Sequence, residues 1–140
     1  EITKGEKFIT FFIATYNYNT RLLTYVNAGH NPSILCTNGN NKLLEQGSTI
    51  LGMFSTLPSI DYGEITVEPN SILVNYTDGL TEAPNNDGKL FETEGLLNFL
   101  NANHHLPLLE FNTKLIDNVV AYKQDMDFDD DITLLTLRFK

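Results

Sequence analysis

The sequence predicts one α+β domain over residues 1–140. Strand-like segments fill the first half of the chain, two helical segments follow late, and a last strand closes it. Strands followed by helices, rather than alternating with them, are typical of α+β folds. A chain of 140 residues with 41% hydrophobic and 19% charged residues also suits a single globular core.

The early strands are indicated by apolar runs between turn signals. Residues 8–16 are strongly apolar, which predicts a buried core strand, and residues 21–26 follow a polar turn as its hairpin partner. Residues 33–36 and 42–45 flank an Asn38-Gly39 pair, a strong hairpin signal. Residues 62–67 alternate like a strand, and residues 71–74 form another apolar run.

The second half predicts two helices and a closing strand. Residues 91–100 repeat leucines at helical spacing, and Thr93 is placed to cap this helix. Residues 106–122 predict a second helix, with Pro107 in its first turn. We expect one side of that helix to be apolar: Leu108, Leu109, Leu115, Ile116, Val119 and Val120. Residues 132–137 read as the last strand.

Charge and composition exclude several classes of function. A net charge of −9 disfavours nucleic-acid surfaces, which need clustered Lys and Arg, and also disfavours anionic membranes. No apolar run approaches the ~20 residues that span a bilayer. Cys36 is the single cysteine, which excludes an internal disulfide and favours a cytoplasmic location. The chain begins at Glu1, so we expect an upstream region, which could tether the whole protein to a membrane.

Two acidic clusters stand next to predicted strands. Asp78-Gly79 directly follows one strand, and Asp129-Asp130-Asp131 runs into the last one. Adjacent carboxylates repel one another, so they need either solvent or a cation. Oxygen ligands favour hard ions such as Mg²⁺, Mn²⁺ or Ca²⁺ over zinc. The sequence therefore allows either a cation site or two solvated acidic turns.

Four ordered motifs carry a family resemblance. They are residues 27–32 (Asn-Ala-Gly-His-Asn-Pro), 51–52 (Leu-Gly), 76–83 (Tyr-Thr-Asp-Gly-Leu-Thr-Glu-Ala) and 130–135 (Asp-Asp-Ile-Thr-Leu-Leu). The chain resembles the protein phosphatase 2C-like serine phosphatases of the stage II sporulation protein E and sigma-B regulator type. The resemblance implies a β-sandwich flanked by helices, with two Mn²⁺ or Mg²⁺ ions that activate a water for attack on phosphorus.

The resemblance also implies roles for single residues. Asp78 and Asp130 match positions where the family ligates a metal. Asp131, Gly79, Glu82, Asn27 and Gly29 match positions expected to brace turns or to lie behind the metal ligands. His30 is either a general acid for the leaving serine oxygen or a residue that fixes a turn by hydrogen bonding.

The opening part of the family pattern is missing from this chain. The family's Gly-Asp-x-x-Asp motif supplies the carboxylate that bridges both metals, and residues 1–21 contain no Asp. We therefore expect the C-terminal two-thirds of a phosphatase domain, incomplete at the N-terminus and inactive or nearly so alone. Uncovered apolar surface and open sheet edges would favour a homodimer.

Two main hypotheses for function remain open. The first is a metal-dependent serine/threonine phosphatase whose substrate, by the resemblance, is a phosphorylated anti-anti-sigma-type regulator in bacterial signalling. The second is a non-catalytic regulatory or binding module with the same fold and no metal centre. A calcium-stabilised structural domain would need more ligands than these motifs offer.

Overall fold

The computed structural model describes residues 7–54, 56 and 59–140. These described residues form two compact units, the first within 1–33 and 43–69, the second within 34–42 and 70–140. In chain order the elements are β1 Phe11–Asn17, β2 Leu22–Ala28, β3 Ser33–Thr37, β4 Asn40–Leu44, β5 Gly47–Ser48, β6 Gly63–Thr66, β7 Ile72–Tyr76, α1 Asp78–Thr81, α2 Glu92–Asn103, α3 Leu108–Lys123 and β8 Leu134–Arg138. This order confirms the α+β class.

The sheet of the first unit is built around β2. Strand β1 pairs with β2 in antiparallel register, with Phe11 opposite Ala28, while β5 pairs parallel and β6 antiparallel to β2. The turn between β1 and β2 is held by Asn17, whose Oδ1 accepts hydrogen bonds from two backbone N–H groups. Tyr25 of β2 lies over Gly63 of β6, where any Cβ would clash with the Tyr25 ring.

The prediction that residues 8–16 form a buried core strand is wrong. Strand β1 begins only at Phe11, and the side chains of Phe8, Ile9 and Ile13 are 61%, 62% and 53% exposed. Among the described residues β1 pairs with β2 alone, so it is an edge strand, and successive side chains point to opposite faces. A strongly apolar run does not by itself show that both faces are covered.

The sheet of the second unit has the order β4-β3-β7-β8. Strand β7 pairs antiparallel with β3 and with β8, placing Leu73 opposite both Leu35 and Leu137. Asn38 and Gly39, at φ +50° and +83°, make the tight turn between β3 and β4, which confirms the predicted Asn-Gly hairpin. Strands β3 and β4 continue slightly beyond residues 34–42.

The two predicted helices are confirmed, but the buried face of α3 differs from the prediction. Leu109 and Val120 are 82% and 44% exposed, whereas Phe111, Leu115 and Val119 are buried. Phe111 packs edge-to-face against Phe99 of α2, with ring centroids 5.3 Å apart. This large ring fixes the rotation of α3, and at about 100° per residue Leu109 then lies on the opposite side.

Two smaller details also differ from the sequence-based expectation. Helix α2 begins at Glu92 with no side-chain cap, so Thr93 lies in its first turn instead of capping it. The Thr93 side chain instead hydrogen-bonds Tyr76 of β7. The segment after β7, expected to be a turn, forms the one-turn helix α1.

Within the described part of the chain, no helix is long and apolar enough to cross a membrane.

Candidate metal centre

Asp78 lies where β7 ends and α1 begins. The strand is almost entirely buried, Thr77 keeps an extended backbone, and Asp78 is the first residue of the helix. Its side chain is exposed, and its Oδ1 accepts a hydrogen bond of 3.1 Å from the Gly79 N–H. A buried strand therefore presents this carboxylate to solvent at the end of the sheet.

Thr77 ties this strand end to the segment that precedes β8. Its backbone N–H donates to the Thr133 carbonyl (3.1 Å), and its hydroxyl donates to the Asp131 carbonyl (2.9 Å). The same hydroxyl accepts a hydrogen bond of 2.8 Å from the Thr133 N–H. The sequence motifs do not predict this role of Thr77, although a hydroxyl residue directly before an acidic residue that begins a helix is a visible signal.

Gly79 allows the second acidic segment to approach α1. A Cβ at this position would lie 2.7 Å from the Asp131 carbonyl oxygen and 2.8 Å from that of Asp130. Real Cβ atoms do not come this close to backbone oxygens, so residue 79 has to be glycine for this packing. The backbone of the Asp130 segment is thus held directly against the helix that carries Asp78, although the two are far apart in the sequence.

The carboxylates of the second acidic segment are open to solvent. Asp129, Asp130 and Asp131 are all exposed, and the Asp130 Oδ1 accepts a hydrogen bond of 2.7 Å from the Asp131 N–H. Carboxylate oxygens are the donors that Mn²⁺ and Mg²⁺ prefer. However, no group of three or more His, Cys, Asp or Glu side chains among the described residues is placed to hold a metal. The donor type fits these ions, but the number falls short of a binuclear centre.

Glu82 closes α1 through its backbone. Its N–H donates to the Asp78 carbonyl oxygen at 2.8 Å, and the Thr81 hydroxyl donates to the same oxygen at 3.2 Å. The Glu82 side chain is exposed. The backbone position of Asp78 is therefore fixed by the main chain and the Thr81 hydroxyl, while the bracing role of the Glu82 carboxylate stays a prediction.

Asn27, Gly29 and His30 shape a turn in the first unit at the end of β2. The buried Asn27 side chain accepts a hydrogen bond from the His30 N–H (2.8 Å) and donates to the His30 and Leu44 carbonyls. Gly29 has φ +69°, and a Cβ there would clash with Ile50. The His30 Nδ1 lies 2.9 Å from the Asn31 carbonyl oxygen. A carbonyl oxygen only accepts hydrogen bonds, so Nδ1 carries a proton, and the other ring nitrogen, Nε2, takes no part in this contact. The role of His30 in catalysis stays a prediction.

Two buried side chains of the second unit, Tyr76 and Cys36, are held in their neutral forms. Burial raises the pKa of Tyr76, and the hydrogen bond with Thr93 opposes that rise. Burial also raises the pKa of the Cys36 thiol, against smaller opposing effects of the Gly39 backbone and of Arg138. Cys36 is therefore a thiol rather than a nucleophilic thiolate at neutral pH.

Comparisons with known proteins agree with this geometry. The chain is 31% identical over 137 residues to the phosphoserine phosphatase RsbU of Bacillus subtilis, covering 95% of this chain and 39% of RsbU. The SiaA-PP2C domain of Pseudomonas aeruginosa superposes with a TM-score of 0.84 at 20% identity, covering 96% of this chain and 53% of that one. The Mn-presoaked phosphatase domain of SpoIIE from Bacillus subtilis gives a TM-score of 0.71 at 14% identity, covering 94% and 56%.

These structural similarities show that the chain has the protein phosphatase 2C-like fold that its motifs imply. The chain spans about two fifths of the length of RsbU and about half of the superposed domains. The model of the family described as Stage II sporulation protein E matches residues 1–140. The chain therefore belongs to the Stage II sporulation protein E (SpoIIE) family.

Proposed function

We propose that the protein containing this chain is a metal-dependent phosphoserine or phosphothreonine protein phosphatase. The observation that carries this proposal is that Thr77 and Gly79 seat the backbone of Asp130 and Asp131 against the helix that begins at Asp78. Family membership and a relative named as a phosphoserine phosphatase support the same activity. We expect the chain alone to be inactive or nearly so.

In this proposal the Asp78 and Asp130 carboxylates hold Mn²⁺ or Mg²⁺. In a binuclear centre such ions supply an activated water and balance the charge of the phosphoryl oxygens. One oxygen of each carboxylate is oriented by a backbone N–H, from Gly79 and Asp131 respectively, and the second oxygen can face a cation. A complete centre needs further carboxylates beyond this pair. His30 is the candidate general acid, with stabilisation of its turn as the alternative role.

We further propose that the substrate is a phosphorylated regulator of the anti-anti-sigma type. This follows from the family resemblance, and the similarity to a relative named as the phosphoserine phosphatase RsbU supports a phosphoserine substrate. We also propose a cytoplasmic location, because the single cysteine of the sequence, Cys36, is a free buried thiol of the kind found in reducing compartments.

Calorimetric titration of Mn²⁺ into this chain tests the metal ligands. Asp78→Asn and Asp130→Asn each remove one charge with little change in shape, so we expect each to weaken Mn²⁺ binding by at least about tenfold. Asp87→Asn is the matched control, since Asp87 is an exposed loop residue outside both acidic segments. In the whole protein we expect hydrolysis of a phosphoserine peptide to require Mn²⁺ or Mg²⁺ and to be lost in Asp78→Asn.

Two results would contradict the proposal. If Asp78→Asn and Asp130→Asn bind Mn²⁺ as tightly as Asp87→Asn does, the two acidic residues are not metal ligands. If the whole protein hydrolyses the peptide equally well in excess chelator, the activity is not metal-dependent.

The alternative is a non-catalytic regulatory or binding module with the same fold. It is favoured by one observation, that the acidic residues of the described chain do not form a group of three ligands. This alternative predicts that the whole protein folds normally, binds no Mn²⁺ with micromolar affinity and releases no phosphate from the peptide.

A further inference from the structure

A groove of about 470 Å³ lies on the helical side of the second unit, and its lining residues do not include Asp78 or Asp130. We call it the α2–α3 groove. It is lined by residues 89–92, by one face of α2 and by Asn118 and Tyr122 of α3. Its volume falls within the range of roughly 300–1,000 Å³ that is usual for ligand sites.

The floor of the groove is aromatic and fixed in position. Phe91 is buried, and its ring meets that of Tyr122 edge-to-face with centroids 5.3 Å apart. The Tyr122 hydroxyl shares its one proton between the carbonyl oxygens of Lys89 (3.2 Å) and Leu90 (3.0 Å), which holds its ring against the loop. A Cβ at Gly95 would lie only 2.9 Å from the Phe91 ring, so the missing side chain at residue 95 makes room for this ring.

Two carboxylates without partners stand at the rim. Glu92 and Glu94 are exposed, and neither has a hydrogen-bond or ion-pair partner among the described residues. Lys89 also lines the groove but pairs with neither of them. Glu92 has φ +61°, a backbone conformation that residues with a Cβ rarely adopt. A negatively charged residue is thus held in a strained position at the edge of the groove.

The walls add neutral hydrogen-bonding groups. Asn98 of α2 and Asn118 of α3 both line the groove, and within the described structure their side-chain amides make no hydrogen bond to protein. Carboxylates, amide oxygens and aromatic faces are together the groups that recognise a guanidinium or ammonium ion. An anion would instead have to approach two carboxylates, against the single ammonium group of Lys89 in the same lining.

We propose that the α2–α3 groove binds an arginine or lysine side chain presented by a segment of a partner protein. The groove is open along exposed helix surfaces, as suits a chain segment rather than an enclosed small molecule. The net charge of −9 on the whole chain would also attract a basic partner. The proposal does not depend on the phosphatase activity, because it involves neither acidic segment near α1.

The probe for this site is N-acetyl-arginine amide, titrated into the ¹⁵N-labelled chain in the presence of EDTA and followed by NMR. We expect shifts in the side-chain amides of Asn98 and Asn118 and in the backbone amide of Gly95. The isosteric but neutral N-acetyl-citrulline amide should leave these signals unchanged. Acetyl-Ala-Arg-Ala amide should bind more tightly than arginine amide, because its flanking residues reach the rest of the groove.

Two pairs of variants test the charge and the shape of the groove. Glu94→Gln should weaken binding about tenfold, since it removes a charge-assisted hydrogen bond, and Asp125→Asn is the control with the same charge change elsewhere. Ala102→Leu should block the groove from α2, whereas Ala121→Leu, an exposed alanine of α3 outside the groove, should not. Lys89→Gln should strengthen binding of the cation.

Several outcomes would overturn the proposal. Equal shifts with the citrulline probe would show that charge is not recognised, and weaker binding in Lys89→Gln would indicate an anion site. If the tripeptide gains nothing over arginine amide, the site takes a small free cation rather than a protein segment. Absence of any shift at Asn98, Gly95 and Asn118 would exclude the site altogether.

Discussion

The hydroxyl of Thr77 joins two segments that are distant in the sequence. It donates to one backbone carbonyl and accepts from one backbone N–H, both in the segment before β8. Unlike the acidic side chains around it, Thr77 is partly shielded from solvent. The geometry of the acidic segments therefore depends on a neutral residue that binds no ion itself.

Replacement of Thr77 tests this dependence. Thr77→Val keeps the branched shape but leaves the Asp131 carbonyl and the Thr133 N–H without their partner. We expect the free energy of unfolding to fall by about 1–3 kcal/mol, measured by urea denaturation. Thr77→Ser retains the hydroxyl and should recover most of this loss. If the valine and serine variants are equally stable, the hydrogen bonds of Thr77 contribute nothing measurable.

The sequence reveals single acidic residues more readily than their surroundings. Asp78 and the run Asp129-Asp130-Asp131 are visible as candidate cation ligands because each lies next to an apolar run. The choice of Asp130 within that run rests on the family resemblance and stays a prediction. The close approach at Gly79 could not be found, since it depends on how β7 and β8 pair, and this register is a tertiary property. The hydrogen bonds of Asn27 to His30 have the same origin in a folded turn.

At the level of elements, β8 is the exposed edge of its sheet. No strand pairs with its outer side within the described part of the chain. Leu135 and Leu137 project from one face and are 54% and 46% exposed, while Thr136, on the other face, hydrogen-bonds Asn112 of α3. An edge strand with exposed leucines is a template for pairing with another chain.

We therefore expect the isolated chain to self-associate through β8. Leu135→Lys places a charge on this face and should shift the chain towards monomer in sedimentation velocity. Leu109→Lys is the control with the same change, because Leu109 is an exposed leucine on α3, away from the edge strand. Both variants should change stability by no more than about 0.5 kcal/mol. Equal dissociation by both variants, or a wild-type chain that is already monomeric, would contradict a role for β8.

The errors at this scale have a common physical cause. The number and type of the helices and most strands could be predicted because periodicity and turn residues are local properties. The burial of β1 and the rotation of α3 could not, because they depend on which surfaces other elements cover. Phe111 and its contact with Phe99 decide the orientation of α3, and no pattern within the helix reports that contact.

At the scale of the whole molecule, two buried tyrosine hydroxyls and one buried thiol make stability depend on pH in the alkaline range. Burial raises the pKa of Tyr25 in the first unit and of Cys36 and Tyr76 in the second, above ordinary values of 10.0, 9.0 and 10.0. The folded chain therefore keeps these protons at a pH where the unfolded chain has lost them. For each group, at a pH between its pKa in the unfolded chain and its higher pKa in the folded chain, the unfolded state binds fewer protons. The free energy of unfolding therefore falls as pH rises.

This linkage predicts the direction and the window of the pH dependence. Below about pH 8 these three groups are protonated in both states, so they do not make stability depend on pH. As the pH rises above 9 and then 10, the free energy of unfolding falls progressively. Tyr76→Phe should lower the free energy of unfolding at pH 7 by about 0.5–1.5 kcal/mol, because the hydrogen bond with Thr93 is lost. Above pH 10 the same variant should lose stability less steeply than the wild type, because one linked proton has been removed.

Urea denaturation between pH 7 and 11 measures both effects in one series. Tyr18→Phe is the matched control, because the Tyr18 side chain is 79% exposed and its hydroxyl is in water in both states. The free energy of unfolding of the Tyr18→Phe variant should follow that of the wild type across the whole pH range. A Tyr76→Phe variant whose alkaline slope equals that of the wild type would show that this hydroxyl is ionised as readily in the folded chain as in the unfolded one. The burial of Tyr76 would then impose no electrostatic cost on the ionisation of its hydroxyl.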